Sequence, residues 1–216
     1  REGERFLYMI TKLGVAKKVD ATAFHDVRRS GLIAIKLQKN DELIAALLVE
    51  KGDEILLASQ KGQAIRFKES DIRAMGRNAG GVREMKLRVG DIIVGADVLP
   101  KGRKDLEVLV VSRNGYGKTT PTAQYKTQKR GGSGIKTIKV TPKTGPLIAA
   151  KVVSKGAAQR ALPGGEGADE EVVVISKKGQ VIRTGLKEIP SLSRSTQGVR
   201  VMKLHPGDAI ASFVCL

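Results

Sequence analysis

The chain contains four copies of one pattern, and this internal repetition restricts its fold more than any local signal. One element reads GLIAIKL from Gly31, GVREMKL from Gly81, GIKTIKV from Gly134 and GVRVMKL from Gly198, with successive copies 50, 53 and 64 residues apart. A second element precedes each: FLYMITKLGVAKKV from Phe6, EILLASQKGQAIRF from Glu54, EVLVVSRNGYGKTT from Glu107 and EVVVISKKGQVIRT from Glu171. Its turn glycines, Gly14, Gly62, Gly115 and Gly179, are spaced 48, 53 and 64 residues apart, so the two elements travel together as one unit. A period near 50 residues identifies radial or stacked architectures.

The runs ILLAS, VLVVS and VVVIS are short and mostly aliphatic or β-branched, and the polar residue and glycine after each suit a tight hairpin turn. The pattern predicts an all-β, propeller-like fold of four repeats, approximately 1–50, 51–104, 105–153 and 171–216. Radial repetition leaves only short, protected sheet edges. A β-sandwich is the competing arrangement. Residues 154–170, rich in Gly, Pro and small side chains, are expected to be an inserted surface loop that lengthens the fourth spacing.

Charge narrows the function. Lys and Arg number 39 against 22 Asp and Glu, a net charge of +17, which calls for a polyanionic partner. Aromatics make up 3% of the chain and Trp is absent, so platforms that stack single-stranded bases are poorly supported and duplex DNA is the better match. Cys215 is the only cysteine, which excludes an intrachain disulfide and a thiolate zinc site and makes the cytoplasm the default compartment. The longest apolar run, residues 43–49, is too short to span a bilayer, and no membrane partner is expected.

Bases concentrate in the loops before the recurring glycines: HDVRRSG from His25, RAMGRNAGG from Arg73, YKTQKRGGSG from Tyr125 and PSLSRSTQG from Pro190. A radial arrangement would align these loops into one basic rim. The DNA-binding candidates are therefore Arg28, Arg29, Arg73, Arg77, Lys126 and Arg194, joined by Arg113 and Lys118 of the third hairpin. Between Glu107 and Glu166 there are eleven cations and no acid, and Thr144 stands where the other repeats place an aspartate. Within that stretch Gln128, Lys129, Arg130, Gly131, Gly132 and Gly134 form the leading candidate site. Glycines there would let backbone N–H groups approach a phosphate while Lys129 and Arg130 supply charge and Gln128 a neutral hydrogen bond.

No catalytic residue, metal or cofactor is expected. NGYGKTT superficially matches a phosphate-binding loop, but Ser112 occupies its first glycine position, Pro121 follows, and the sister repeats read KGQAIRF and KGQVIRT in the same frame. A hairpin is the better reading. His25 and His205 have no ligand partners at useful spacing.

The residues 128–134 resemble the Q-R-R-G-G-K-G box of the C-terminal domain of DNA gyrase A, with Lys129 and Ser133 substituted. RFKESDIRAMG from Arg66, NGYGKTTP from Asn114 and RSTQGVRVMKL from Arg194 extend the resemblance over nearly the whole chain. The resemblance implies a β-pinwheel of six blades that wraps duplex DNA and directs an ATP-dependent type II topoisomerase toward negative supercoiling. The implied partners are the remainder of the gyrase A polypeptide, which carries the DNA-cleaving tyrosine in an upstream domain, and the gyrase B polypeptide in an A2B2 enzyme. In that family the box lies in the first blade, so its match in the third repeat implies a fragment that lacks about two blades. The equivalent domain of topoisomerase IV is the neighbouring alternative. A propeller-type scaffold for an acidic protein is a rival of another class, and it would need an exposed aromatic or apolar hot spot. An RNA-binding protein would share the charge but not the four regular copies.

Overall fold

The computed structural model describes residues 4–27, 29–155 and 170–216. The first repeat supplies β1 (Arg5–Thr11), β2 (Val15–Asp20) and β3 (Leu43–Glu50). The second supplies β4 (Glu54–Ser59), β5 (Gln63–Lys68), β6 (Val82–Arg83) and β7 (Ile93–Leu99), and the third β8 (Leu106–Ser112), β9 (Tyr116–Pro121), β10 (Ile135–Lys136) and β11 (Leu147–Ser154). The fourth supplies β12 (Glu171–Ser176), β13 (Val181–Gly185), β14 (Val199–Arg200) and β15 (Ile210–Cys215). The fold is all-β, as the pattern predicts. No helix among the described residues is long and apolar enough to cross a membrane.

The chain forms two compact units. The first comprises Arg1–Ser59, Gln63–Gly102 and Lys126–Ile135, and the second Gln60–Gly62, Arg103–Tyr125 and Lys136–Leu216. The first holds the sheets β3-β1-β2-β6 and, through Ile135, β10-β5-β4-β7; the second holds β11-β8-β9-β14 and β13-β12-β15. In the first unit Ile10, Ile55, Leu57, Ile65, Phe67 and Met85 share a buried core; in the second Leu109, Val111, Val172, Val174 and Met202 do.

Each hairpin turns on the glycine that the sequence singled out; Gly115, for example, has φ +85°. Asp41 and Asp208, each ten residues after the glycine of the glycine-led element, cap the hairpin turns of the first and fourth repeats. Asp41 Oδ1 accepts the Leu13 N–H at 3.0 Å, and Asp208 Oδ1 accepts the Lys178 N–H at 3.1 Å. One turn of 3-10 helix follows each return strand, at Ala21–Phe24, Glu69–Asp71, Thr122–Gln124 and Leu186–Glu188.

The glycine-led element forms only a two-residue strand in the second, third and fourth repeats. Only its second and third residues pair, and they pair with the return strand of the preceding repeat: Val82 with Ala16 and Arg83 with Val15, Val199 with Gly117 and Arg200 with Tyr116. Its fifth residue then turns inward as an apolar anchor, Met85, Ile138 or Met202, each 1% exposed. Residues 31–38 form no strand, and Ile33 is 75% exposed. The donated strand starts at a glycine with positive φ, in close contact with the strand it joins. A Cβ on Gly134, at φ +71°, would lie 2.5 Å from the Ala64 carbonyl oxygen, and one on Gly198 equally close to that of Gly117.

Candidate nucleic-acid interface

Three of the four basic loops are fixed at both ends by the preceding repeat's return strand. They begin at parallel bridges, Lys18 with Ala74, Arg66 with Thr127 and Thr119 with Ser191, in each case four residues beyond the turn glycine. They end at the glycine of the donated strand. The spans between these anchors carry exposed Arg77, Lys129 and Arg130, and exposed Arg73 and Lys126 stand one residue before the bridges that open them. In the first repeat Arg29 is exposed, and Arg28 lies outside the described residues. So do residues 156–169 of the inserted segment, whose first residue, Ser154, closes β11.

The loop of residues 128–134 is seated by its backbone. Gln128 N–H donates to the Arg66 carbonyl at 2.7 Å, Gly131 N–H to the Glu84 carbonyl at 2.6 Å, and Lys86 N–H to the Gly132 carbonyl at 2.9 Å. The expectation that glycine N–H groups face a phosphate therefore fails at Gly131, whose N–H points into the protein. Gly132 and Gly134 act through close packing: a Cβ on Gly132 would meet Gln128 Oε1 at 3.3 Å and Ile65 at 3.4 Å. Arg130 Nε donates to the Asp71 carbonyl at 3.0 Å, while Lys129 is exposed beside it, and with Asp71 the two cations line a shallow cavity of about 360 Å³.

Arg194 occupies the same frame in the fourth repeat, four residues before the glycine. It donates to the Lys136 carbonyl at 2.9 Å, as Arg130 does to Arg83 at 3.5 Å, so both arginines reach back to the donated strand of the previous repeat. Arg113 is exposed at the third hairpin tip.

Lys118 departs from its expected role. Its side chain is fully buried, and its ammonium donates to the carbonyls of Ser193 and Arg194, the latter at 2.9 Å, and to Thr196 Oγ1 at 3.1 Å. Burial, with Arg194 adding repulsion, draws its pKa down to about 8. It holds a basic loop from beneath and presents no charge to solvent. Lys17, three residues beyond its own turn glycine as Lys118 is, repeats the device by donating to the carbonyls of Ala34 and Arg77. Sequence reasoning missed this pair, although a signal was present: the corresponding residues of the other repeats are Ile65 and Ile182, an apolar column in which a lysine must bury its stem.

Glu84 was missed as well. It is fully buried beneath the loop of residues 128–134, and neither carboxyl oxygen has a hydrogen-bond partner. Burial pushes its pKa up to about 8 against the pull of Arg130. At neutral pH it is mainly a neutral acid.

The sequence matches the DNA gyrase C-terminal domain family of β-propellers over residues 5–50, 53–100, 106–154 and 170–216. It is 37% identical over 209 residues to the DNA gyrase A polypeptide of Staphylococcus epidermidis, covering 97% of this chain and 22% of that protein. It is 38% identical to the corresponding protein of Lawsonia intracellularis, again covering 97% of this chain and 24% of the relative. The chain thus spans less than a quarter of these relatives' length. A solved DNA gyrase A C-terminal domain superposes with a TM-score of 0.81 at 28% identity, covering 98% of this chain and 65% of that one. The C-terminal domain of DNA topoisomerase IV shares the fold, with a TM-score of 0.86 at 20% identity over 100% of this chain and 62% of that one. With all four repeats matched in register, the chain belongs to the DNA gyrase C-terminal domain family.

Proposed function

We propose that this chain binds duplex DNA without base specificity and bends it along its basic loops, as the wrapping part of a gyrase. The observation that carries this reading is the loop of residues 128–134, which holds exposed Lys129 and Arg130 on a backbone fixed at both ends. Cations on a seated loop meet phosphates with little further loss of conformational freedom, which favours binding. The loops carry bases rather than a projecting recognition helix, so selectivity would follow the deformability of the duplex. In the intact enzyme the partners would be the rest of the gyrase A polypeptide and the gyrase B polypeptide, and the wrap would bias strand passage toward negative supercoiling. The chain itself would contribute no catalytic group; NGYGKTT forms a hairpin whose lysine, Lys118, is bound to carbonyls.

Binding of a short duplex at several salt concentrations tests the reading. Engagement of about four to eight phosphates, one or two per repeat, gives a slope of log K against log salt of about −4 to −7. A slope near zero would remove duplex binding as the function.

A further inference from the structure

The hairpin tips of the repeats differ in charge, and the difference collects in the second unit. In the first repeat the tip lysine, Lys12, is paired with Glu42 at 3.2 Å, and Asp41 caps the turn. In the third repeat the same frame carries Arg113, with Thr144 and Gly145 where the two acids stand. Thr144 still closes its own loop, accepting the Thr141 N–H at 2.9 Å, and Asn114 Nδ2 donates to the carbonyls of Pro142 at 3.2 Å and Lys143 at 3.1 Å. The turn is therefore kept by neutral groups, and the negative charge is gone.

Cations replace it. Lys143 and Arg200 both sit over the ring of Tyr116, at 5.5 Å and 5.6 Å, and Arg200 donates to its hydroxyl at 3.1 Å. Lys203 joins them around a cleft of about 310 Å³, and a second cleft of about 370 Å³ continues it past Asn114 to Arg113, Lys177 and Lys178. The two clefts share one carboxylate, Asp208, whose Oδ1 is already engaged by the N–H groups of Lys178 and Ala209. Six cations thus face one committed acid. Like charges held this close repel unless an anion lies between them.

We infer that this cleft is a binding site for a phosphoryl anion, either a phosphodiester of a duplex or a free polyphosphate, with Lys143, Arg200 and Lys203 as its principal contacts. Arg200 offers a planar fork for paired phosphate oxygens, Lys143 and Lys203 act as mobile point charges, and Tyr116 is a flat wall that spaces them. Within the second unit the site lies at the turn end of β9, where Arg200 pairs with Tyr116, whereas the basic loop of residues 192–198 begins further along β9, at the bridge of Ser191 with Thr119. It does not rest on the proposed duplex binding.

Tyr116 supplies a spectroscopic reporter. Its hydroxyl is pulled below the usual tyrosine range by the Arg200 hydrogen bond, with Arg200 and Lys143 charges adding, whereas burial raises Tyr8 and Tyr125. With only three tyrosines in the chain, the first tyrosinate to form on raising pH is that of Tyr116. Inorganic tripolyphosphate bound in the cleft should move that first step to higher pH, because it offsets the cations that lower it.

The experiment titrates the whole chain with tripolyphosphate by calorimetry and by tyrosinate absorbance, in parallel with the salt dependence of duplex binding. Lys143→Gln with Lys203→Gln should weaken tripolyphosphate at least about tenfold and abolish the absorbance shift. Lys12→Gln with Lys51→Gln, at lysines already paired with acids, should change neither. If the first pair also flattens the duplex salt slope by about two, the phosphodiester is the source; an unchanged slope assigns the site to free polyphosphate. Equal tripolyphosphate affinity in the parent and in Lys143→Gln with Lys203→Gln would overturn the site. Duplex binding that failed altogether while the tripolyphosphate effect held would sink the wrapping proposal and leave this one standing.

Discussion

The loops of residues 128–134 and 192–198 share a frame and an arginine, yet they are seated over buried groups of opposite character. Beneath the first, Glu84 is held as a neutral acid, and the chain packs against the preceding sheet through Gly132 and Ile65. Beneath the second, Lys118 gathers two loop carbonyls and a hydroxyl. The same frame can thus be built on apolar contact with glycine or on an ammonium that satisfies carbonyls. The two solutions differ in their response to pH, because one strands an acid and the other a base away from water.

The largest expected effect comes from Glu84. Its folded pKa, about 8, lies above the ordinary 4.5, so the native chain keeps a proton that the unfolded chain releases between those values. Stability therefore falls as pH rises through that window and levels off above it, a change on the order of 5 kcal/mol. Glu84→Gln should remove this fall, leaving the variant more stable than the parent at pH 9 relative to pH 5 by urea denaturation. Parallel profiles would mean that Glu84 is not held neutral.

Lys118 should show the opposite trend with a smaller amplitude. Its folded pKa, about 8, lies below the ordinary 10.5, so the unfolded chain binds the extra proton between them and stability rises with pH there. The rise is roughly 3 kcal/mol and should be absent from Lys118→Met. At neutral pH the same variant leaves the carbonyls of Ser193 and Arg194 without their donor, a cost of about 1–3 kcal/mol. Hydrogen exchange should show faster opening around residues 193–198, with the loop of residues 128–134 unchanged. Equal loosening of both loops would break the distinction between their seats.

The repeats, the hairpin turns and the exposure of the loop bases were legible in the sequence because each is local and recurs. Gly14, Gly62, Gly115 and Gly179 need only their neighbours to make a turn. Strand donation was not legible, because Val82 and Val199 pair with strands some 65 and 80 residues earlier, and two paired residues leave no period to read. Lys118 was misjudged for a related reason. In YGKTT polarity suggests solvent, and only the column shared with Lys17, Ile65 and Ile182 suggests burial. Glu84 stands in a frame that carries Ala34, Thr137 and Val201 elsewhere, so the position pointed inward while its residue type pointed out. Polarity describes a residue, whereas the seat is decided by its place in the repeat.

The smallest effect separates the loops by their charge toward DNA. Where the first carries Lys129, the second carries Ser193, and both side chains are exposed. Neither side chain makes the seat, since Ser193 contributes its backbone carbonyl to Lys118 and the loop of residues 128–134 is fixed through its neighbours. Exchanging these residues should therefore leave the fold intact while moving one positive charge between equivalent places. Lys129→Ser should weaken duplex binding uniformly across sequences and reduce the magnitude of the salt slope by about one. Ser193→Lys should increase it by about one if the fourth loop also meets the phosphate backbone. The double exchange should then restore the parent slope. If Lys129→Ser has its effect and Ser193→Lys has none, the two loops share a frame without sharing a contact, and the DNA path engages the third repeat but not the fourth.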